Sequence, residues 1–229
     1  MAHQSAVMLN EAFIKVYGQN WNAENTKILE QGPGGLTLYK DAYTRKGCEY
    51  FSYELEDGKE ILSLPYEDNT FDVVFSNSVF EHDSMFWLSF NEFMRVLKPN
   101  GLFFLTAPSN GIYHTFPLDC WRFYPDAGKG LIKWAHHSGF KKAALIESFT
   151  TDKHHDIWCD HVSVFIKDQD CLDQFPKRLA HNVEWTPLTN VYVHGYPDLL
   201  NRMVQPQDQR PIAAEQYIKP LYTLPELRV

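Results

Sequence analysis

The chain has 229 residues, of which 44% are hydrophobic and 22% charged, and it carries a net charge of −8 at pH 7. That length suits one α/β domain with a modest appendage, and the hydrophobic fraction excludes a chain that stays unfolded in water. The acidic balance argues against a broad phosphate-binding surface, so no nucleic-acid partner is expected.

Four cysteines, Cys48, Cys120, Cys159 and Cys171, form no CxxC pair. They suggest neither a zinc knuckle nor a disulfide framework, and are read as reduced thiols of a cytoplasmic protein. No apolar run has the length of a membrane span, and the first residues lack the basic and apolar regions of a signal peptide, so no membrane association is expected.

The opening segment, residues 1–26, places Val7, Met8, Phe13, Ile14 and Tyr17 roughly on one helical face and reads as an amphipathic helix. KILE at 27–30 is a buried strand that runs into Gln31-Gly32-Pro33-Gly34-Gly35, a glycine-rich turn. A helix over 36–45 and a strand over 48–55 follow, then a short third strand near 60–62. Asp68-Asn69-Thr70 marks a turn, and FDVVFS at 71–76 a buried strand. Phe86, Phe90, Phe93, Met94 and Leu97 repeat at helical spacing, and Lys98-Pro99-Asn100-Gly101 ends that helix with a basic last turn, proline and glycine. Strands over 102–107, 143–149 and 161–167 complete the series, with a helix over 131–138 closed by Gly139.

Alternating strands and helices with near-continuous apolar strands imply a doubly wound, Rossmann-like α/β fold with a mostly parallel sheet. The last two strands have no helix between them, so they predict an antiparallel pair at the sheet edge. After Asp168 proline recurs and periodicity weakens. The organisation expected is therefore a domain over 27–168 and an irregular C-terminal extension over 169–229, serving as a lid or a homodimer interface.

The glycine turn admits two readings, a tight strand-to-helix connection or a cradle where backbone approaches a ligand that a Cβ would obstruct. It lacks the GxGxxG spacing of a dinucleotide site and the lysine of a P-loop. Glu54, at the end of the second strand, is either a solvated carboxylate or an acceptor for ribose hydroxyls beside the crevice.

Residues 64–108 are the most specific stretch. Leu64-Pro65-Tyr66, Asp68-Asn69, Phe71-Asp72, Glu81-His82 and Arg95-Val96-Leu97-Lys98-Pro99 before Gly101 occur in that order. The block resembles the centre of class I methyltransferases of the methyltransferase type 11 kind, and the likeness extends over 27–167. It implies S-adenosylmethionine (SAM) as cofactor. Glu30 then matches the acid of the family's first motif, near the methionine end of SAM, and Gly32 and Gly34 match its first two glycines. Glu54, with Leu55 beside it, matches the ribose acid. Glu60 and Ile61 fall where adenine is contacted, Ser76 and Asn77 face the methionine moiety, and His82 lies at the start of the next helix near the methyl-transfer face. The sequence departs from the pattern at two places. Gly35 adjoins Gly34 where the third glycine would come later, and Glu54 and Glu60 are too close for the usual second helix.

An acceptor site is expected in 108–125, PSNGIYHTFPLDCWRFYP. His114, Asp119, Arg122 and Tyr124 are polar groups set among Tyr113, Phe116, Trp121 and Phe123. Methyl transfer needs alignment of the nucleophile, and a hydroxyl acceptor gains from a base. His114 is the first candidate base and His82 the second. The competing reading is that Trp121-Arg122-Phe123 packs on the domain while Arg122 pairs with Asp119. Asp119-Cys120-Trp121-Arg122-Phe123 also resembles a pattern in relatives that act on sugars or natural products. The cluster Asp152, His154, His155, Asp156, Cys159, Asp160 and His161 reads as a loop or lid rather than a metal site, and no metal is assigned. The expectation is a methyltransferase acting on O or N of a small polar acceptor, a saccharide or secondary metabolite. The alternative is a non-catalytic scaffold on the same fold. No Asn/Asp-Pro-Pro-aromatic motif follows the 71–76 strand, which disfavours a protein or RNA substrate.

Overall fold

Residues 4–21, 24–32, 39–54, 63–152, 158–196 and 198–202 are described in a computed structural model. Among them seven strands, β1 (Lys27–Gln31), β2 (Glu49–Tyr53), β3 (Phe71–Asn77), β4 (Leu97–Pro108), β5 (Ala144–Thr151), β6 (Asp160–Ile166) and β7 (Leu188–Val193), form one sheet in the order β2-β1-β3-β4-β6-β5-β7. β1 pairs parallel with β2 and β3, and β3 with β4. β6 runs antiparallel to both β4 and β5, and β7 antiparallel to β5. The strand order reverses between β1 and β3, the place where an open α/β sheet leaves a crevice beyond its strand ends.

The expected antiparallel pair is present, but β6 inserts between β4 and β5 instead of closing the edge. Every residue of β6 is buried, which suits a strand with neighbours on both sides. The edge belongs to β7, inside the segment whose sequence lacks periodicity. Its alternation is broken at Asn190, where φ is +53°, and Pro187 precedes it. The 60–62 strand, the first turn of the 36–45 helix and the tail from 203 lie outside the described residues.

Helices cover both faces. α1 (Gln4–Tyr17) and α2 (Lys40–Thr44) lie over one face, where Phe13 stacks on Phe104 at 4.4 Å and Tyr43 on Phe75 at 5.0 Å. The buried stripe of α1 is Ala6, Leu9, Phe13, Val16 and Tyr17, while Met8 is only partly buried. α3 (Phe86–Val96) and α4 (Ala127–His137) cover the other face, packing Phe90, Phe93, Leu131 and Ala135 on Leu29, Val74, Phe103 and Phe165. Side chains alternate across the sheet with the period of two that strands impose, so Ile28 and Leu29 enter opposite cores.

Glu147 of β5, fully buried, fastens three parts of the chain. It accepts hydrogen bonds from Tyr17 Oη on α1, from Leu179 N at 2.7 Å and from Ala180 N at 2.8 Å. The four cysteines are free, and among the described residues no helix is long and apolar enough to cross a membrane.

Candidate functional site

The C-terminal ends of β1, β3 and β4 meet the N-terminal end of β6 along one edge of the sheet. Gly32 carries β1 out of the sheet. Its N–H donates to Tyr53 O at 2.8 Å, and its φ of +65° is one that side chains with a Cβ adopt at a cost. A Cβ there would lie 2.8 Å from Val79 Cγ2. The glycine is thus required for both the turn and the close approach of the 78–82 segment.

Three buried polar groups lie at this edge without hydrogen-bond partners among the described residues. They are Glu30 Oε2, both amide atoms of Gln31, and Ser76 Oγ. Glu30 pairs in register with Phe75, and Gln31 with Ser76, so all three border the crevice between β1 and β3. Burial, reinforced by the charge of Glu54, pushes the Glu30 carboxyl up to about 8. Buried polar atoms left without partners are costly and mark places that a ligand satisfies. Glu54 follows β2 and is exposed.

Asn77 is held more firmly. Its Oδ1 accepts from Thr106 Oγ1 at 2.8 Å and from Asn10 Nδ2 at 3.1 Å, while its Nδ2 has no partner among the described residues. Asn10 in turn accepts from Tyr43 Oη at 3.1 Å. α1 therefore lies across the same edge, and Ser5 Oγ donates to Asp160 at 2.8 Å. Sequence reasoning missed Asn10, Gln31 and Thr106. The signal for Asn10 was a polar residue in the apolar stripe of an amphipathic helix.

The segment after β3 turns sharply. Ser78 has φ +52° and donates its N–H to Thr106 O at 2.9 Å. His82 lies in this turn rather than at a helix start, because α3 begins only at Phe86, after Asp83 accepts from Met85 N at 3.0 Å and from Ser89 Oγ. His82 Nδ1 donates to Leu118 O, which leaves the lone pair on Nε2. Burial lowers its pKa, so the ring is neutral near pH 7.

Two main-chain bonds dock the 112–124 loop onto this turn, Cys120 N to Glu81 O at 2.7 Å and Trp121 N to Glu81 O at 3.2 Å. They bring His114 to His82, ring centroids 4.9 Å apart. Asp119 organises the loop: its carboxylate accepts from Arg122 Nη1 at 2.5 Å, Arg122 Nη2 at 2.8 Å and His114 N at 2.7 Å. The Arg122 guanidinium holds the Asp119 carboxyl down at about 2, which makes it a weak base. Arg122 also donates to Ile112 O and Trp121 O, both at 2.7 Å. The packing reading therefore describes Arg122, Trp121 and Phe123. Arg122 clamps the loop, Trp121 Nε1 donates to Asp83 O at 3.0 Å, and Phe123 is buried against Phe80 and Phe86. Tyr113 and Phe116 instead stand 75% and 71% exposed beside His114, two apolar faces open to a ligand.

Gly34, Leu55, Glu60 and Ile61 lie outside the described residues, as do His154, His155 and Asp156 of the expected loop cluster. His161 of that cluster is buried within β6, where its Nε2 meets Ser163 Oγ at 2.7 Å.

Comparison with known proteins agrees with this geometry. The family described as "Methyltransferase domain" matches residues 8–105, from α1 through most of β4. Uncharacterized methyltransferases from Mycobacterium sp. strains KMS and MCS are each 34% identical over 92 residues, covering 33% of this chain and 36% of theirs. The match thus spans about a third of those relatives' length. In structure, a provisionally assigned sarcosine dimethylglycine methyltransferase from Galdieria sulphuraria superposes with TM-score 0.52 at 14% identity, covering 72% of this chain and 87% of that one. A methyltransferase solved in complex with the Haloferax volcanii Trm112 activator gives TM-score 0.51 at 12% identity, covering 71% and 91%. These structural likenesses speak for the fold. The family match covers the segment that bears the crevice, so residues 8–105 are similar to a methyltransferase domain.

Proposed function

We propose that the protein is a SAM-dependent methyltransferase that acts on an oxygen or nitrogen of a small polar acceptor, a saccharide or a secondary metabolite. The observation that carries this reading is the trio of buried, unpartnered polar groups, Glu30, Gln31 and Ser76, beside a glycine held at positive φ. These residues suit a ligand that is both cationic and rich in hydrogen-bonding groups. Glu30, Gln31, Gly32, Ser76 and Asn77 would hold the methionine part of SAM, and Glu54 its ribose hydroxyls. When bound, SAM supplies a methyl group on a sulfonium, an electrophile that needs no activation beyond alignment.

The rest falls to the chain. Tyr113 and Phe116 offer aromatic faces to an acceptor, and His82 and His114 beside them hold or receive its proton. Asp119 and Arg122 keep that loop in place. Catalysis is assigned to residues 27–168 with Asn10 of α1, and the extension over 169–229 contributes β7 to the sheet edge.

Calorimetric titration with SAM and with its demethylated product tests the cofactor. Micromolar binding of both is expected, followed by methyl transfer in a panel of hydroxylated and amino acceptors. Absence of binding by either nucleoside would overturn the reading in favour of a non-catalytic scaffold.

A further inference from the structure

The 112–124 loop creates a juxtaposition that neither half of the sequence announces. One ligand-capable atom from each of Glu81, His82 and His114 lies within 4.8 Å of the others. Glu81 is 1% exposed, and its Oε2 has no partner among the described residues. Its Oε1 stands 3.6 Å from His82 Nε2, too far for a hydrogen bond. The three groups face one another without bonding one another. Around an ion bound at about 2.1 Å, neighbouring donors sit about 3–3.5 Å apart, so about 1 Å of side-chain movement would close the set.

The surroundings suit an ion as well. A histidine that binds a metal through one nitrogen usually donates through the other to a carbonyl or carboxylate, which fixes the ring and raises its basicity. His82 does this through Nδ1 to Leu118 O. His114 Nδ1 lies 3.4 Å from Asp119 Oδ2, 3.4 Å from Ile112 O and 3.5 Å from Arg122 Nη2, so the Asp119–Arg122 pair holds its ring in place. Two imidazoles and one carboxylate without thiolate are a donor set for Mn²⁺, Fe²⁺, Co²⁺ or Zn²⁺, with coordination positions left open for oxygen ligands.

We propose that Glu81, His82 and His114 bind one divalent first-row transition cation, and that this ion takes the acceptor by a hydroxyl oxygen. The second clause rests on the methyltransferase reading; the first does not. A coordinated hydroxyl releases its proton more readily than a free one. The acceptor would then be a hydroxylated molecule and not an amine, held by the ion on one side and by Tyr113 and Phe116 on the other.

The test adds Co²⁺ to the full-length protein after chelator treatment, reads visible absorption and calorimetry, and repeats the titration with Mn²⁺. One ion per chain is expected. Glu81→Gln and His114→Gln should each weaken binding by about tenfold or more, while thermal unfolding shows both variants folded. His114 is 34% exposed on a surface loop, so its variant should fold even if Glu81→Gln does not. Failure of the wild type to take up Co²⁺ saturably, or uptake undiminished in His114→Gln, would overturn the site. SAM titration in the absence of metal separates the two readings. SAM binding without Co²⁺ binding removes the ion and leaves the methyltransferase, whereas Co²⁺ binding without SAM binding leaves the ion and removes the methyltransferase.

Discussion

Replacing Gly32 with alanine probes the crevice at its narrowest point. Holding a residue with a Cβ at φ +65° costs about 1–2 kcal/mol. The new Cβ would stand 2.8 Å from Val79 Cγ2 and 2.9 Å from Cγ1, against an ordinary carbon contact of about 3.5–4.0 Å. Overpacking of this kind costs a further ~1–3 kcal/mol. Together these give about 2–5 kcal/mol, a fall in Tm of about 10 °C at ~2–4 °C per kcal/mol for a chain of this size. The steric part involves Val79 alone, and the backbone part does not involve it. Urea unfolding of Gly32→Ala, Val79→Ala and the double variant separates them. Gly32→Ala should cost about 1–3 kcal/mol less in the Val79→Ala background. Strict additivity, or a Gly32→Ala protein as stable as wild type, would refute the claim that the turn and the 78–82 segment are packed against each other.

Three further outcomes are expected. Burial pushes the Glu30 carboxyl up to about 8, and a cationic ligand favours its ionised form. SAM affinity should therefore rise about tenfold per pH unit as pH climbs toward 8, then level off, and Glu30→Gln should lose this slope; calorimetry from pH 6 to 9 decides it. Glu147→Ala strips three donors, Tyr17 Oη, Leu179 N and Ala180 N, of their acceptor. Each orphaned donor costs about 1–3 kcal/mol, so the variant should lose about 3 kcal/mol or more in urea unfolding, and a smaller loss would mean water replaces the carboxylate. Burial lowers His161 from 6.5 to about 4, so folding favours its neutral form. That contribution is fully present above pH 6.5 and is lost as pH falls toward 4, about 3 kcal/mol in all at ~1.4 kcal/mol per unit. His161→Gln keeps a partner for Ser163 and should flatten the acid limb of the stability profile by that amount.

Local chemistry made much of this protein legible in its sequence. Runs such as FDVVFS are strands because two-sided burial demands continuous apolar residues. The α3 helix ends at Val96, ahead of Pro99, because proline lacks the N–H that a further helical turn needs, although Lys98 to Gly101 then belong to β4. Gly32 follows a buried strand because the backbone there takes a positive φ, and Glu30 came to attention as the acid that ends an apolar run, whereas Ser76 did so only through the family resemblance. Those are properties of a few consecutive residues, and a chain reads them out without help from the rest of the fold.

Tertiary structure decided the remainder, where partners are far apart in sequence. β6 sits inside the sheet, and β7 closes its edge, because pairing is settled by which buried strand still lacks a neighbour. Asn10 reaches Asn77 across 67 residues, so a helix that looked like an appendage became part of the site. Arg122 was legible as a charge but not as a clamp, since its acceptors Ile112 O and Trp121 O are main-chain atoms placed by the loop's path. Glu81 and His82 were visible as neighbours, yet His114 joins them only because Cys120 and Trp121 bond to the Glu81 carbonyl. Local periodicity set the strands, and the resemblance of residues 64–108 to a family suggested the cofactor class. The meeting of acceptor-side groups depended on how a docked loop folds back, which no spacing in the chain encodes.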